Sequence, residues 1–394
     1  MRTNTLPNRL VSMDVYRGFV MFLMMAEVLE YCRVAATRPQ SWFWETLCWH
    51  QSHVEWTGCS LHDMIQPSFS FLVGVAMVYS LKNRVSSGAS FSKLFPRVLR
   101  RSLILIVLGI FLRSTGAAQT YFTFEDTLTQ IGLGYPFLFL ISHLSRRGQV
   151  AAFLFLVAGY WLAFALYPLP AANFNFSDAG ADPNWPYNLR GFAAHWNKNT
   201  NLAWAVDRWF LNLFPTAETF LFNEGGYCTL SFVPTLATMV LGLFAGSALQ
   251  SAGAPSAKIR QLALWGISSI AAGLLVHFLG ICPIVKRIWT PAWVLFSGGA
   301  CFLFMAFFYW LIGIRQVRRP FFWLMVIGVN SIAAYVLAHT VVGFIHGSLQ
   351  THLGVQYDAV LGTDYAPLVR GASLLLLQWW VLFWMWRRKI FLKI

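Results

Sequence analysis

Charge is what this sequence has least of. Asp, Glu, Lys and Arg make up 11% of its 394 residues, where soluble chains carry roughly a quarter. That shortage excludes an ordinary water-soluble globule. Acidic residues are the scarcer sign, 15 against 29 basic, for a net charge of +14. Cysteine is sparse too: there are six, none in a CxxC pair, so no zinc site is expected. There is no low-complexity tail, no convincing repeat of roughly 20–50 residues, and no inverted repeat of the kind many transporters show. No soluble domain stands out. No cleavable signal peptide is expected, because the first apolar run carries Arg17 and Glu27 and lacks a small-residue cleavage site.

What remains is apolar. Hydrophobic residues make up 57% of the chain, in recurring runs of about 18 or more, enough to cross a hydrocarbon core as helices. The expected fold is all-α: a polytopic membrane bundle in one domain, 1–394. Ten spans are predicted, at 15–34, 61–81, 102–118, 127–144, 150–168, 229–249, 261–281, 292–314, 321–344 and 367–386. Nineteen Lys and Arg fall on one set of span ends, nine on the other, and Arg17 inside the first span. The positive-inside rule explains this bias better than nucleic-acid binding does, and it puts both termini in the cytoplasm. His53 then lies on or just inside the far face. Two far-side loops are long, 33–60 and 168–228. The second contains Leu202–Phe214, which reads as an amphipathic surface helix. Cys48 and Cys59 share the first of these loops. They are expected either to pair, in an oxidising compartment, or to stay free.

The stretch "HVEWTGCSLHDMIQPSFSFLVGVAM" (His53–Met77) collects ionisable groups where a span begins. Ser60 and Asp63 have the spacing of a capping box, so Asp63 reads as a helix N-terminal carboxylate, which does not exclude a chemical role. Pro67 is expected to bend the span. Glu27 and Glu30 come from the first span, and charge at bilayer depth usually marks a site. Arg17 reads as a snorkelling anchor or a site residue. Gln130, Asn330 and Ser331 read as interhelical glue. The outer tryptophans, Trp56 and Trp289 among them, read as an aromatic belt, with one or two kept for sugar stacking. The residues alone indicate an outer-face site with His53, Asp63 and Glu27, and leave enzyme and transporter both open.

Two segments carry a resemblance. "RLVSMDVYRG" (Arg9–Gly18) and "HVEWTGCSLHDMIQPSFSFLVG" (His53–Gly74) resemble the opening of the heparan-α-glucosaminide N-acetyltransferase family and its bacterial relatives. The family pattern is R-x-x-S-x-D-x-x-R-G followed by H-x-x-W-x-G-x-[ST]-x-x-D-[LM]-[IV]-x-P-x-F-x-F. Further segments agree in order: "LTQIGLGY", "VDRWFLN", "NEGGYCTLSFVPTLATMVLGLFAG", "CPIVKRIWTPAWVL" and "GVNSIAAY". The resemblance implies a transmembrane acyltransferase that takes acetyl from cytoplasmic acetyl-CoA, needs no metal, and delivers to an amino or hydroxyl group of a sugar or glycan across the membrane. It implies His53 as the catalytic residue and matches Asp63, Asp14, Arg17, Lys286, Trp289, Thr290, Asn330 and Ser331 to motif positions. Trp56, Asp207, Glu224, Lys286 and Trp289 become candidates for the acceptor sugar. The chain departs from the lysosomal member in starting directly at the first motif, without a luminal domain, and in having "MMAEVLEY" where that member carries an asparagine. A bacterial-type relative in the inner membrane is therefore expected.

On this basis His53 is expected to act as general base or as acyl carrier. Asp63 or Glu27 would orient its ring, and Asn330 would donate to the oxyanion. Arg97, Arg100, Arg101, Arg318 and Arg319 are expected to hold the CoA phosphates. The lipid bilayer and the glycan are the expected partners, nucleic acid is not one, and a homodimer is left open. The rival readings are a transporter of amino sugars or related solutes and a non-catalytic membrane subunit.

Overall fold

The computed structural model describes residues 10–86 and 88–392; Arg2, Arg9 and Lys393, counted above on the basic side, lie outside the described residues. Among the described residues fifteen α-helices follow in order. The first eight are α1 (Val11–Met25), α2 (Tyr31–Thr37), α3 (Trp42–Gln51), α4 (Ile65–Ser86), α5 (Phe91–Arg113), α6 (Thr127–Ser142), α7 (Arg146–Leu166) and α8 (Leu202–Phe210). The rest are α9 (Phe232–Gln250), α10 (Pro255–Phe278), α11 (Pro291–Phe308), α12 (Phe322–Val329), α13 (Ser331–Thr340), α14 (Val342–Leu353) and α15 (Ala366–Arg387). Among the described residues there is no β-strand, only an antiparallel bridge between Thr57 and Val285.

Among the described residues, six segments are long and apolar enough to cross a bilayer: His62–Arg84, Arg146–Leu166, Thr229–Gln250, Pro255–Phe278, Pro291–Ile314 and Thr363–Arg387. A seventh is added if α12 and α13 count as one span. A count of ten also needs α1, α5 and α6. Of these, α1 has 15 residues and α6 has 16, while α5 carries five basic residues along its 23. The exterior is apolar: Phe155, Leu275 and Phe278 on α7 and α10 are all largely exposed. In water such a surface would aggregate; against lipid it is solvated.

The centre is α9, nearly all of it buried. It crosses α4 at Gly74 and Gly242, where a Cβ on Gly74 would lie 1.9 Å from the Met239 carbonyl oxygen. No side chain fits there, and small residues of this kind are how membrane helices approach closely without a hydrophobic drive.

Four expectations need correction. The first span does not run unbroken to residue 34. It loosens into a 3₁₀ turn at Ala26–Leu29 and breaks at Glu30, which has φ of 47°. The cause is Gln51, which donates to the Ala26 carbonyl (2.7 Å) and accepts from the Tyr31 N–H (2.8 Å). The ninth span is broken too: α12 and α13 meet at 83°. There Asn330 donates to the Ile390 carbonyl (2.9 Å) and accepts from the Leu392 N–H (3.2 Å), so its amide is committed to the chain beyond α15. Cys48 is bonded to Cys32, and Cys59 is free. Pro67 falls in the first turn of α4, where its missing N–H costs no helical bond.

Candidate functional site

The local fold explains Asp63 first. Its N–H donates to Ser60 Oγ (3.3 Å), and the Ser60 N–H donates back to Asp63 Oδ2 (2.9 Å). This reciprocal pair is capping-box geometry with Asp in the place of Glu. The Val54 N–H adds a third bond to Oδ2 at 3.3 Å. Backbone donors thus hold one carboxylate oxygen, and the other, Oδ1, is left for chemistry. It lies 2.7 Å from His53 Nδ1 and 3.3 Å from Lys286 Nζ.

Lys286 reaches this point from the loop between α10 and α11. The Gly58 N–H bonds the Ile284 carbonyl (3.1 Å), beside the Thr57–Val285 bridge. Arg287 then donates to the Gly225 carbonyl (2.7 Å) and the Val54 carbonyl (3.2 Å). Three loops distant in sequence are locked together beneath His53. Asp63 and Lys286 are almost fully buried, while the His53 side chain keeps 37% of its surface open.

The tautomer follows from these contacts. A carboxylate can only accept, so the Asp63 contact assigns the proton to His53 Nδ1 and the lone pair to Nε2; Lys286 Nζ lies 3.0 Å from Nδ1 and 3.4 Å from Nε2. Burial holds the imidazole below its ordinary value of 6.5; Asp63 pulls it upward and the Lys286 ammonium pushes it down again. Burial likewise lowers Lys286, against the pull of Asp63. The Cys59 thiol nearby is pushed up to about 12 by burial and by Asp63. It stays protonated, which leaves the imidazole as the available base or nucleophile.

His53 lines a cavity of about 500 Å³ together with Glu27, His62, Gln66, Arg113, Glu125, Tyr227, Lys286 and His339. That volume suits a small organic ligand. Glu27 does not hold the His53 ring; it pairs with His62 (Nε2 to Oε1, 3.1 Å), whose ring centre is 4.5 Å from that of His53.

The other predicted residues are elsewhere. Trp56 is buried and donates to the Trp196 carbonyl (3.1 Å). Trp289 is buried and donates to Thr238 (3.1 Å). Both are core, so sugar stacking is withdrawn for them. Asp207 is buried and accepts the Thr229 N–H ahead of α9 (2.9 Å); burial pushes its carboxyl up to about 7. Glu224 is exposed and does not line the cavity. Asn330 is occupied as described and does not line it either. Gln130 ties the Phe124 and Thr229 carbonyls together, the glue expected of it. Arg17 lies 3.4 Å from Asp14.

None of Arg97, Arg100, Arg101, Arg318 and Arg319 borders the His53 cavity. Arg101 donates to the Tyr135 hydroxyl (3.0 Å). His62, His339, Arg113, Glu125 and Tyr227 line the cavity without having been assigned a role from sequence. The H-D step in "SLHDM" was the available signal for His62. Arg113 and Tyr227 carry no such signal.

No family model matches the chain. It is similar to heparan-alpha-glucosaminide N-acetyltransferase of Homo sapiens, 22% identical over 377 residues that cover 85% of this chain and 53% of that protein. The Mus musculus protein of the same name is 21% identical over 374 residues, 84% of this chain and 53% of its own length. The chain spans about half the length of the curated relatives it matches. The likeness is distant but runs along most of the chain. With the apolar helices, it supports an integral membrane protein related to acetyltransferases.

Proposed function

We propose that this chain is a transmembrane acyltransferase. It moves an acetyl group from acyl-CoA at its arginine-rich face to an amino or hydroxyl group of a sugar on the opposite face. The observation that carries the proposal is the 2.7 Å bond between His53 Nδ1 and Asp63 Oδ1 at a cavity of about 500 Å³.

In the proposed step the acceptor's nitrogen or oxygen attacks the thioester carbonyl. The new C–N or C–O bond forms as the C–S bond breaks. His53 Nε2 takes the acceptor's proton and returns it to the leaving thiolate, so the donor departs as a thiol. Asp63 holds the ring in the needed tautomer and stabilises the imidazolium, the part a third group plays in a triad. An imidazole held below 6.5 is neutral and ready at physiological pH. The oxyanion role falls to Lys286, whose ammonium is at the site, rather than to Asn330.

For the donor's phosphates the five arginines remain the candidates. Among the described residues, Arg101 Nε and Arg318 Nε are buried without hydrogen-bond partners, which fits donors that expect an anion.

The test uses purified protein, radiolabelled acetyl-CoA and a panel of amino sugars. Label on at least one sugar is expected. His53→Ala is expected to lower the rate by on the order of 100- to 10,000-fold while the protein stays folded. A folded His53→Ala with full turnover would remove His53 from the chemistry. Solute uptake with no dependence on CoA would instead favour a transporter.

A further inference from the structure

The cavity holds two histidine–carboxylate pairs, and acyl transfer to an alcohol needs one. His53–Asp63 is the first. His62–Glu27 is the second, with Nε2 and Oε1 3.1 Å apart and the two rings 4.5 Å apart between centres.

The fold presents Glu27 deliberately. Gln51 holds open the break after α1, and Glu27 sits in the turn it creates. The next carboxylate, Glu30, is taken by Arg370 (3.0 Å) and Arg33 (3.2 Å). Glu27 has neither lysine nor arginine within salt-bridge distance among the described residues; its side chain is 55% exposed, and it lines the cavity. His62, by contrast, is 8% exposed. An open carboxylate backed by a buried imidazole is built to receive a cation and then a proton.

We infer that the Glu27–His62 pair binds an acceptor arriving as an ammonium ion and removes its first proton, leaving His53 to remove the second. This rests on the acyltransferase reading above, and it decides for nitrogen as the acylated atom. The balance requires two proton acceptors. An ammonium nitrogen has no lone pair and cannot attack. It gives one proton to the Glu27–His62 pair, which stores it as imidazolium beside carboxylate. The free amine then attacks the thioester carbonyl: C–N forms, C–S breaks, and the second proton passes through His53 to the thiolate. Ammonium and thioester become amide, thiol and one proton, which the Glu27–His62 pair releases to solvent. An alcohol loses a single proton and has no use for the second pair.

The same cavity is lined by His53, Lys286, His339, Arg113, Glu125 and Asp126. The basic ones, Lys286 and Arg113, oppose a cation. The acidic ones favour the acceptor's charge.

The test compares two acceptors in purified full-length protein: glucosamine, largely an ammonium ion at neutral pH, and aniline, which arrives uncharged. Glu27→Gln and His62→Gln are each assayed with acetyl-CoA, with melting temperature as the folding control. The expected result is a kcat/KM loss on the order of 100-fold larger for glucosamine than for aniline. In both variants the glucosamine rate should also climb with pH along the sugar's own deprotonation. Equal losses with both acceptors, or no loss with glucosamine, would overturn the inference while leaving the acyltransferase reading intact. No transfer to either acceptor by the folded wild-type protein would overturn both.

Discussion

At the scale of single residues, His53 and Asp63 stand apart because local sequence positions them. They are ten residues apart, and the Ser60–Asp63 cap folds the intervening loop back on itself. That much was legible in "HVEWTGCSLHD". The contribution of Lys286 was legible only as a motif position, because its contact with His53 joins residues 233 apart. Trp56 and Trp289 were read as surface belt or sugar platform and turned out to be core, since composition does not tell a buried indole from an interfacial one. The charge balance at His53 makes a pH prediction. A base must be neutral, so activity should fall on the acid side as His53 protonates, with a midpoint under 6.5. Lys286 pushes that value down and Asp63 pushes it up. Lys286→Gln should therefore move the acid limb to higher pH, measurable as kcat/KM against pH. A limb that stays put or moves to lower pH would contradict the electrostatic role given to Lys286.

At the scale of elements, hydrophobic length located helices well and their breaks poorly. The spans expected at 150–168, 229–249, 261–281 and 367–386 correspond to α7, α9, α10 and α15 within a few residues at most ends. The break at Glu30 was missed because no local breaker marks it, and the one at Asn330 because Asn330 and Ser331 read as interhelical glue. At the first, the Gln51 side chain bonds the freed backbone on both sides of the break; at the second, the Asn330 side chain is bonded to backbone beyond α15. Pro67, which does look like a breaker, sits where proline is tolerated. Helix contacts here depend on glycine. Gly74→Val puts side-chain atoms where the α9 backbone already lies, whereas Gly159 on α7 has nothing within 4 Å. Gly74→Val should cost about 1–3 kcal/mol or more and Gly159→Val far less, read as melting temperature in detergent. Equal shifts would refute the close crossing of α4 and α9.

At the scale of the whole molecule, composition excluded a soluble fold, and six apolar segments with a lipid-like exterior agree. The Cys32–Cys48 bond ties Cys32, expected at the end of the first span, to Cys48 in the loop expected on the far side, and a disulfide there fits an oxidising compartment. The orphaned Arg101 and Arg318 nitrogens and the His53 cavity are separate features, and the acyltransferase reading requires acyl groups to pass from one to the other. That requirement was invisible in sequence, because no motif encodes a passage between helices. It is tested most directly in sealed proteoliposomes with labelled acetyl-CoA outside and glucosamine trapped within, comparing wild type with His53→Ala. Label on the trapped sugar is predicted for vesicles carrying the wild type and not for those carrying the variant. No label with folded wild type in either orientation, or equal label with the variant, would contradict it.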